Sequence, residues 1–229
     1  MQGHLIKTDV FEALLDHETK EEVLQKAKDN KDFNPTMFLR YCVINTSLLL
    51  VGLTAKNAAP MKPYLGSTSY TVSCIRELIR HVEGVYDIEF DNGVHRVNNL
   101  RTQYLQIYNG KFGGGRIILN PLGLINDGYM ELVYRPGLFN AAFAIYMFCL
   151  PGGVMCYDEG FTCFRAKQAK IINKMKDKDG NMIEQDINID GEDLTFKNFA
   201  KYTVLPSCID IIVDMKHILK ETYLSHLNK

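Results

Sequence analysis

Apolar and polar positions alternate along this chain in short runs that turn-forming clusters separate, the pattern of many short strands rather than of long helices. Leu5 to Leu14 mixes the two kinds of residue and predicts a strand followed by a turn of helix. His17 to Asp32 is almost wholly polar, with Lys and Glu interspersed, and predicts a solvated helix or an exposed insert. Phe38 to Gly52 is β-rich. Tyr41, Val43 and Ile44 lead into Leu48-Leu49-Leu50-Val51-Gly52, a near-continuous apolar run expected as a strand buried on both faces.

Ala55 to His81 predicts helix, interrupted by Pro60 and Pro63, with a second start at Gly66-Ser67-Thr68-Ser69. Tyr70, Cys74, Leu78 and His81 repeat there at helical spacing, with Val72, Ile75 and Ile79 alongside. Tyr86 to Phe90 and Val94 to Val97 predict strands joined by Asp91-Asn92-Gly93, in which Asn-Gly supplies the positive φ angles of a type I′ turn. Further strands are expected at Thr102–Tyr108 and Tyr129–Tyr134, a helix at Phe139–Cys149, and a hairpin of Phe164–Asn173 with Met182–Ile189 around Asp177-Lys178-Asp179-Gly180-Asn181. A turn at Ile189–Asp193, a last strand at Tyr202–Ile212 and a closing helix within residues 214–229 complete the pattern. The fold class is α+β, mainly β: one domain over residues 1–229, an antiparallel β-sandwich with flanking helices.

The 229 residues are 46% hydrophobic and 23% charged, an ordinary globular balance. A net charge of −1 gives no electrostatic reason to expect a nucleic-acid partner. The longest apolar stretch, Leu138 to Met155, is broken by Pro151-Gly152-Gly153 and falls short of the roughly 20 continuous apolar residues of a spanning helix, so no transmembrane segment is expected. No basic region precedes an apolar one at the N-terminus, so no signal peptide is expected. The six cysteines, Cys42, Cys74, Cys149, Cys156, Cys163 and Cys208, form no CxxC pair and mostly lie in apolar runs. They read as reduced, buried thiols of an intracellular protein.

Gly113-Gly114-Gly115 has the composition of a phosphate loop, but it opens a strand and lacks a following Lys-Ser/Thr pair, so it reads as a backbone crossing or bulge. Asp177-Lys178-Asp179-Gly180 starts like a calcium loop, but Gly comes fourth and Asn188 stands at the twelfth position, so a hairpin turn is expected. Asp190-Gly191-Glu192 places two carboxylates about a glycine, a pair that can share a metal or move a proton; on spacing alone it is a plain turn with a solvated Glu. The six histidines are scattered, no metal is expected, and no serine lies in a nucleophile elbow.

In their order, these features resemble the diacylglycerol, sphingosine and ceramide kinase superfamily. Gly113-Gly114-Gly115, Asn120-Pro121 and Asn126-Asp127-Gly128-Tyr129-Met130-Glu131-Leu132 resemble one block of its second, lipid-binding domain. Asn188-Ile189-Asp190-Gly191-Glu192 resembles its later Asp-Gly-Glu motif, and Asn45 to Ala59 its strand-glycine-helix opening. Gly66 to Arg80 resembles the helix that follows, and Gly3 to Val10 the strand that crosses between the two kinase domains. Gly123 stands where the family usually has alanine. The family's ATP-binding signature, Gly-Gly-Asp-Gly-Thr, occurs nowhere in these residues.

The resemblance implies that Asp127 stands at a magnesium-linked acidic network, that Asp190 and Glu192 face the phosphoryl-transfer cleft, that Gly113, Gly114, Gly115, Gly128 and Gly191 are structural, and that inward apolar residues line a lipid pocket. Because the chain starts where the family's second domain would, the expectation is a module without catalysis of its own. The matched carboxylates are then relics whose loss leaves its role intact. It would be a structural or interaction subunit of a larger, membrane-associated assembly, mitochondrial or cytoplasmic, with room for a bound lipid and no other cofactor. The alternatives are half of a split lipid kinase and a free-standing lipid carrier or sensor. A face around Ile6, Val10 and the glycine triplet is expected to meet a protein partner.

Overall fold

Paired with β11 from His4 to Leu15, β1 (His4–Leu15) is one strand without the helical turn expected after it. The structure, a computed structural model, describes residues 4–110, 123–137 and 160–213. The glycine triplet, the expected helix at 139–149, Cys149, Cys156 and the expected C-terminal helix lie outside the described residues.

The polar segment forms α1 (Lys20–Asp29). Thr19 caps it by accepting the Glu22 N–H, and Glu22 reaches back to the N–H of Glu18. Phe33 and Phe38 stack at 4.9 Å and enclose the buried His17, which fastens the insert to the body. After β2 (Leu39–Cys42) and β3 (Asn45–Leu48) the expected long strand ends early. Leu49 turns to φ 56°, and the apolar run becomes α2 (Leu49–Ala58). A short α3 (Lys62–Leu65) and α4 (Thr68–Ile79) follow.

From β4 (Gly84–Phe90) the chain turns through four residues, with Asp91, Asn92 and Gly93 all at positive φ, rather than through a two-residue turn. The two expected strands beyond it are one, β5 (His95–Tyr108). Then come β6 (Met130–Pro136), β7 (Thr162–Ala166), β8 (Gln168–Asn173), β9 (Gln185–Ile189), β10 (Glu192–Phe196) and β11 (Phe199–Val213). The expected hairpin of the segments around 177–181 does not form, because β8 pairs with β4 and β11 while β9 pairs with β3 and β10. Only the local turn remains, held by Asp177, which accepts the N–H groups of Asp179 and Asn181 at 2.9 Å each.

The strands form one antiparallel sheet in the order β10-β9-β3-β5-β4-β8-β11-β1-β2, with β6 and β7 continuing from the far half of β5. Because β5 pairs with β4 along its first half and with β3 and β6 along its second, the sheet curls into two facing layers. Phe11, Tyr86, Ile171 and Tyr202 of one layer share a single buried cluster with Leu48, Leu105, Leu132 and Phe196 of the other. Tyr86 crosses the sandwich to donate its hydroxyl to Gln185 at 2.9 Å.

The alternate side chains of β5, Tyr104 and Tyr108, face outward yet are also buried, under Leu50 of α2 and Cys74 and Leu78 of α4. That second core fixes the helices to one outer face. Cys42 and Cys74 are buried as expected; Cys163, on edge strand β7, and Cys208, on β11, are exposed. No described helix is long and apolar enough to cross a membrane.

Candidate functional site

Ile189 pairs with Glu192, so Asp190-Gly191 is a two-residue hairpin loop, and its φ angles of 49° and 94° explain the Asp-Gly pair. The Asp190 carboxylate turns back onto the link between β2 and β3. It accepts backbone N–H groups from Val43 at 2.6 Å, Ile44 at 3.0 Å and Asn45 at 2.8 Å, and the Cys42 thiol at 3.3 Å. Burial raises the Cys42 pKa and the nearby Asp190 charge adds to the rise, so the thiol stays protonated and able to donate. Glu192 is exposed and pairs with Arg40 at 2.8 Å. Beside this pair lies an open groove of about 450 Å³ walled by Leu24, Pro35, Leu39, Tyr41 and Ile189.

The second matched turn lies across the same end of the sandwich. Gly128 takes φ 77°, and Asp127 accepts the Tyr129 N–H at 3.1 Å while its other oxygen pairs with Arg165. Arg165 also lies over the Tyr129 ring at 4.8 Å and brings Nε to 3.5 Å from Glu131. Glu131 is fully buried. Burial, with the Asp127 charge beside it, pushes its pKa up to about 7.

Asp9, buried at a bulge in β1, joins the two turns. Its carboxylate accepts the N–H of Gly128 at 2.6 Å and that of Ser207 at 2.7 Å. Asn109 donates from Nδ2 to the Asp9 carbonyl at 2.7 Å and to the Val43 carbonyl at 3.2 Å, and its own N–H goes to the Ile44 carbonyl at 2.9 Å. Asp127, Gly128, Asp9, Asn109, the Val43–Asn45 link and Asp190 therefore form one polar seam.

The structure brings Asp127 and Asp190 onto this seam and leaves Glu192 at its rim. No group of three metal-ligating side chains occurs among the described residues. Val10, expected on an open partner face, is buried by the chain's own packing, and Ile6 is half-buried. The exposed apolar side chains of that region include Ile209 of β11 and the pair Leu5 and Ile212, opposite each other across β1 and β11. Asp9, Asn109, Arg165 and Arg40 were not singled out as site residues. The available signals were a lone Asp inside an apolar strand and an Asn-Gly at a strand end, each an ordinary feature by itself.

No family model and no curated protein matches the chain. Solved structures do. Two structures of a protein of Bacillus anthracis str. Sterne, provisionally described as a diacylglycerol kinase, superpose with a TM-score of 0.57 at 18% identity, covering 92% and 93% of this chain and 58% and 59% of their own. A further structure of a diacylglycerol kinase from that strain gives 0.50 at 11% identity, over 92% of this chain and 55% of its own. This chain thus spans a little over half the length of the structures it matches, and what it shares with them over that length is the fold.

Proposed function

We propose that this chain is a non-catalytic, lipid-kinase-like module that serves as a structural or interaction part of a larger assembly. The observation that carries this reading is the state of the matched carboxylates. Asp190 is taken up by three backbone N–H groups and a thiol, Asp127 by Arg165 and the Tyr129 N–H, and Glu192 by Arg40. Phosphoryl transfer depends on carboxylates free to position a metal and a nucleophile. Asp190 and Asp127 instead hold turns of the fold in place, and Glu192 is held in a surface ion pair. The ribbon of β1 and β11 offers a place for a partner: Leu5 is 70% exposed and Ile212, directly opposite it, 78%. An exposed apolar pair on a strand ribbon suits a protein surface better than water.

Incubating the purified chain with magnesium-ATP and diacylglycerol, sphingosine or ceramide tests the reading. No product above a no-protein control is expected. Conversion of any of the three overturns it, and conversion that appears only with an added nucleotide-binding chain assigns the protein to a split kinase.

A further inference from the structure

Helix α4 carries apolar side chains on two opposite faces. Ser69, Ser73, Cys74, Glu77 and Leu78 are buried. At 100° per residue they centre on one side of the helix. Val72, Ile75 and Ile79 centre on the opposite side, and all three are exposed, Ile79 at 71%. Two of the five inward positions are serines and one is a carboxylate, so the outer stripe is the more apolar of the two. At the N-terminal end of α4, Tyr64 and Leu65 of α3 are exposed as well, Tyr64 at 88%.

Cations predominate around this stripe. From Lys62 to His81 the sequence holds Lys62, Arg76 and Arg80 against a single acid, Glu77. Glu77 is fully buried on the inner side, receives Asn57 Nδ2 at 3.0 Å, and lies 3.6 Å from Arg76 and 3.7 Å from Arg80. Both arginines are more than half exposed and Lys62 is exposed. The outer surface therefore presents aliphatic and tyrosine side chains among cations, with no exposed carboxylate on α3 or α4.

We propose that the outer face of α3 and α4 docks on an anionic lipid surface. A helix with an apolar stripe flanked by cations lies in the plane of a membrane interface, its stripe in the acyl boundary and its cations among anionic headgroups. Tyrosine is suited to the same depth, with an apolar ring and a polar tip. A protein partner or a second copy meeting this face would have to supply the anions that a lipid surface already carries. The inference is independent of the non-catalytic reading, since this face lies apart from the polar seam.

Co-sedimentation with vesicles tests it. The purified chain is expected to sediment with vesicles of equal parts phosphatidylcholine and phosphatidylglycerol, not with phosphatidylcholine alone, and to release at high salt. The double variant Ile75→Ser/Ile79→Ser, checked for fold by circular dichroism, is expected to bind about tenfold more weakly, in line with loss of buried apolar area. Should that variant fail to fold, Tyr64→Ser, at a nearly fully exposed site, carries the test with the same direction. Equal sedimentation with both vesicles, none with either, or unchanged binding of the folded variants overturns the proposal. So does light scattering that shows a dimer dissolved by the same substitutions, which assigns the face to a second copy.

Discussion

Asp190 Oδ2 accepts the backbone N–H of Val43 at 2.6 Å although 147 residues separate the two. The bond ties the β9–β10 hairpin to the β2–β3 link, and Ile44 and Asn45 donate to the same carboxylate. An Asp-Gly turn of this kind is a clamp.

Asp190→Ala is therefore expected to cost about 2 kcal/mol, because three backbone donors lose their acceptor and alanine must hold a positive φ. Asp190→Asn keeps both the turn and an acceptor and should cost less. Glu192→Ala removes an exposed pair and should stay within about 0.5 kcal/mol. Urea unfolding of the three variants ranks them; equal midpoints for Ala and wild type at 190 would show that the clamp carries no load.

Asp9 should be the more sensitive position. Its carboxylate is fully buried and serves the N–H groups of Gly128 and Ser207, and Ser207 is itself held at φ 53°. Removing a buried charged acceptor strands both donors, so Asp9→Ala is expected to cost about 3 kcal/mol or more. Amide exchange provides the check: protection at Gly128 and Ser207 should fall together, and independent behaviour of the two would dissolve the proposed seam.

Glu131 gives the protein a pH dependence of definite sign. Its pKa in the fold is about 7 against an ordinary 4.5. Between those values the folded state binds more protons than the unfolded one, so stability falls as pH rises. The favourable contribution is complete below 4.5 and lost above about 7. Burial is the main reason for the rise; of the facing charges, Asp127 adds to it and Arg165 opposes it. Glu131→Gln should flatten this segment of the profile and melt higher than wild type on its alkaline side. Thermal melts at about pH 5 and about pH 8 decide the matter, and a parallel profile for both proteins would remove Glu131 as the source.

What could be read beforehand and what could not follows from the range of each interaction. The Asp190-Gly191 and Asn126-Asp127-Gly128 turns, and α1 with its polar composition, are set by neighbours in sequence, and each stands where expected. The sandwich class follows from turn-marked short strands. The pairing of β8 and β9 with different layers is set by contacts across the sheet, which no local pattern contains. The same holds for the seam: Asp9, Asn109 and Asp190 meet only because a bulge, a strand end and a hairpin converge. Leu48 to Gly52, expected as strand, turns helical for another reason. An apolar run buried on all sides has no period, so strand and helix look alike until the positive φ of Leu49 ends one and begins the other.

Gly52 turns that last ambiguity into a measurement. It lies in α2, where propensity alone predicts that Gly52→Ala stabilises by about 1 kcal/mol. A Cβ at this position would meet the Ser47 carbonyl oxygen at 2.6 Å and the Ser47 carbonyl carbon at 3.2 Å, both backbone atoms of β3 and neither able to rotate away. The helix must shift from the strand it leaves, loosening Leu50 against Tyr104 and Tyr108. Overpacking of this kind costs about 1–3 kcal/mol, which outweighs the gain in propensity. Gly52→Ala is therefore expected to lower the denaturation midpoint, and Gly52→Val to lower it further. Were the run a strand, as its composition first implied, the larger β-branched residue would be the better tolerated of the two. The order of the two variants in a single urea series thus separates a close-packed strand–helix elbow from a continuous strand.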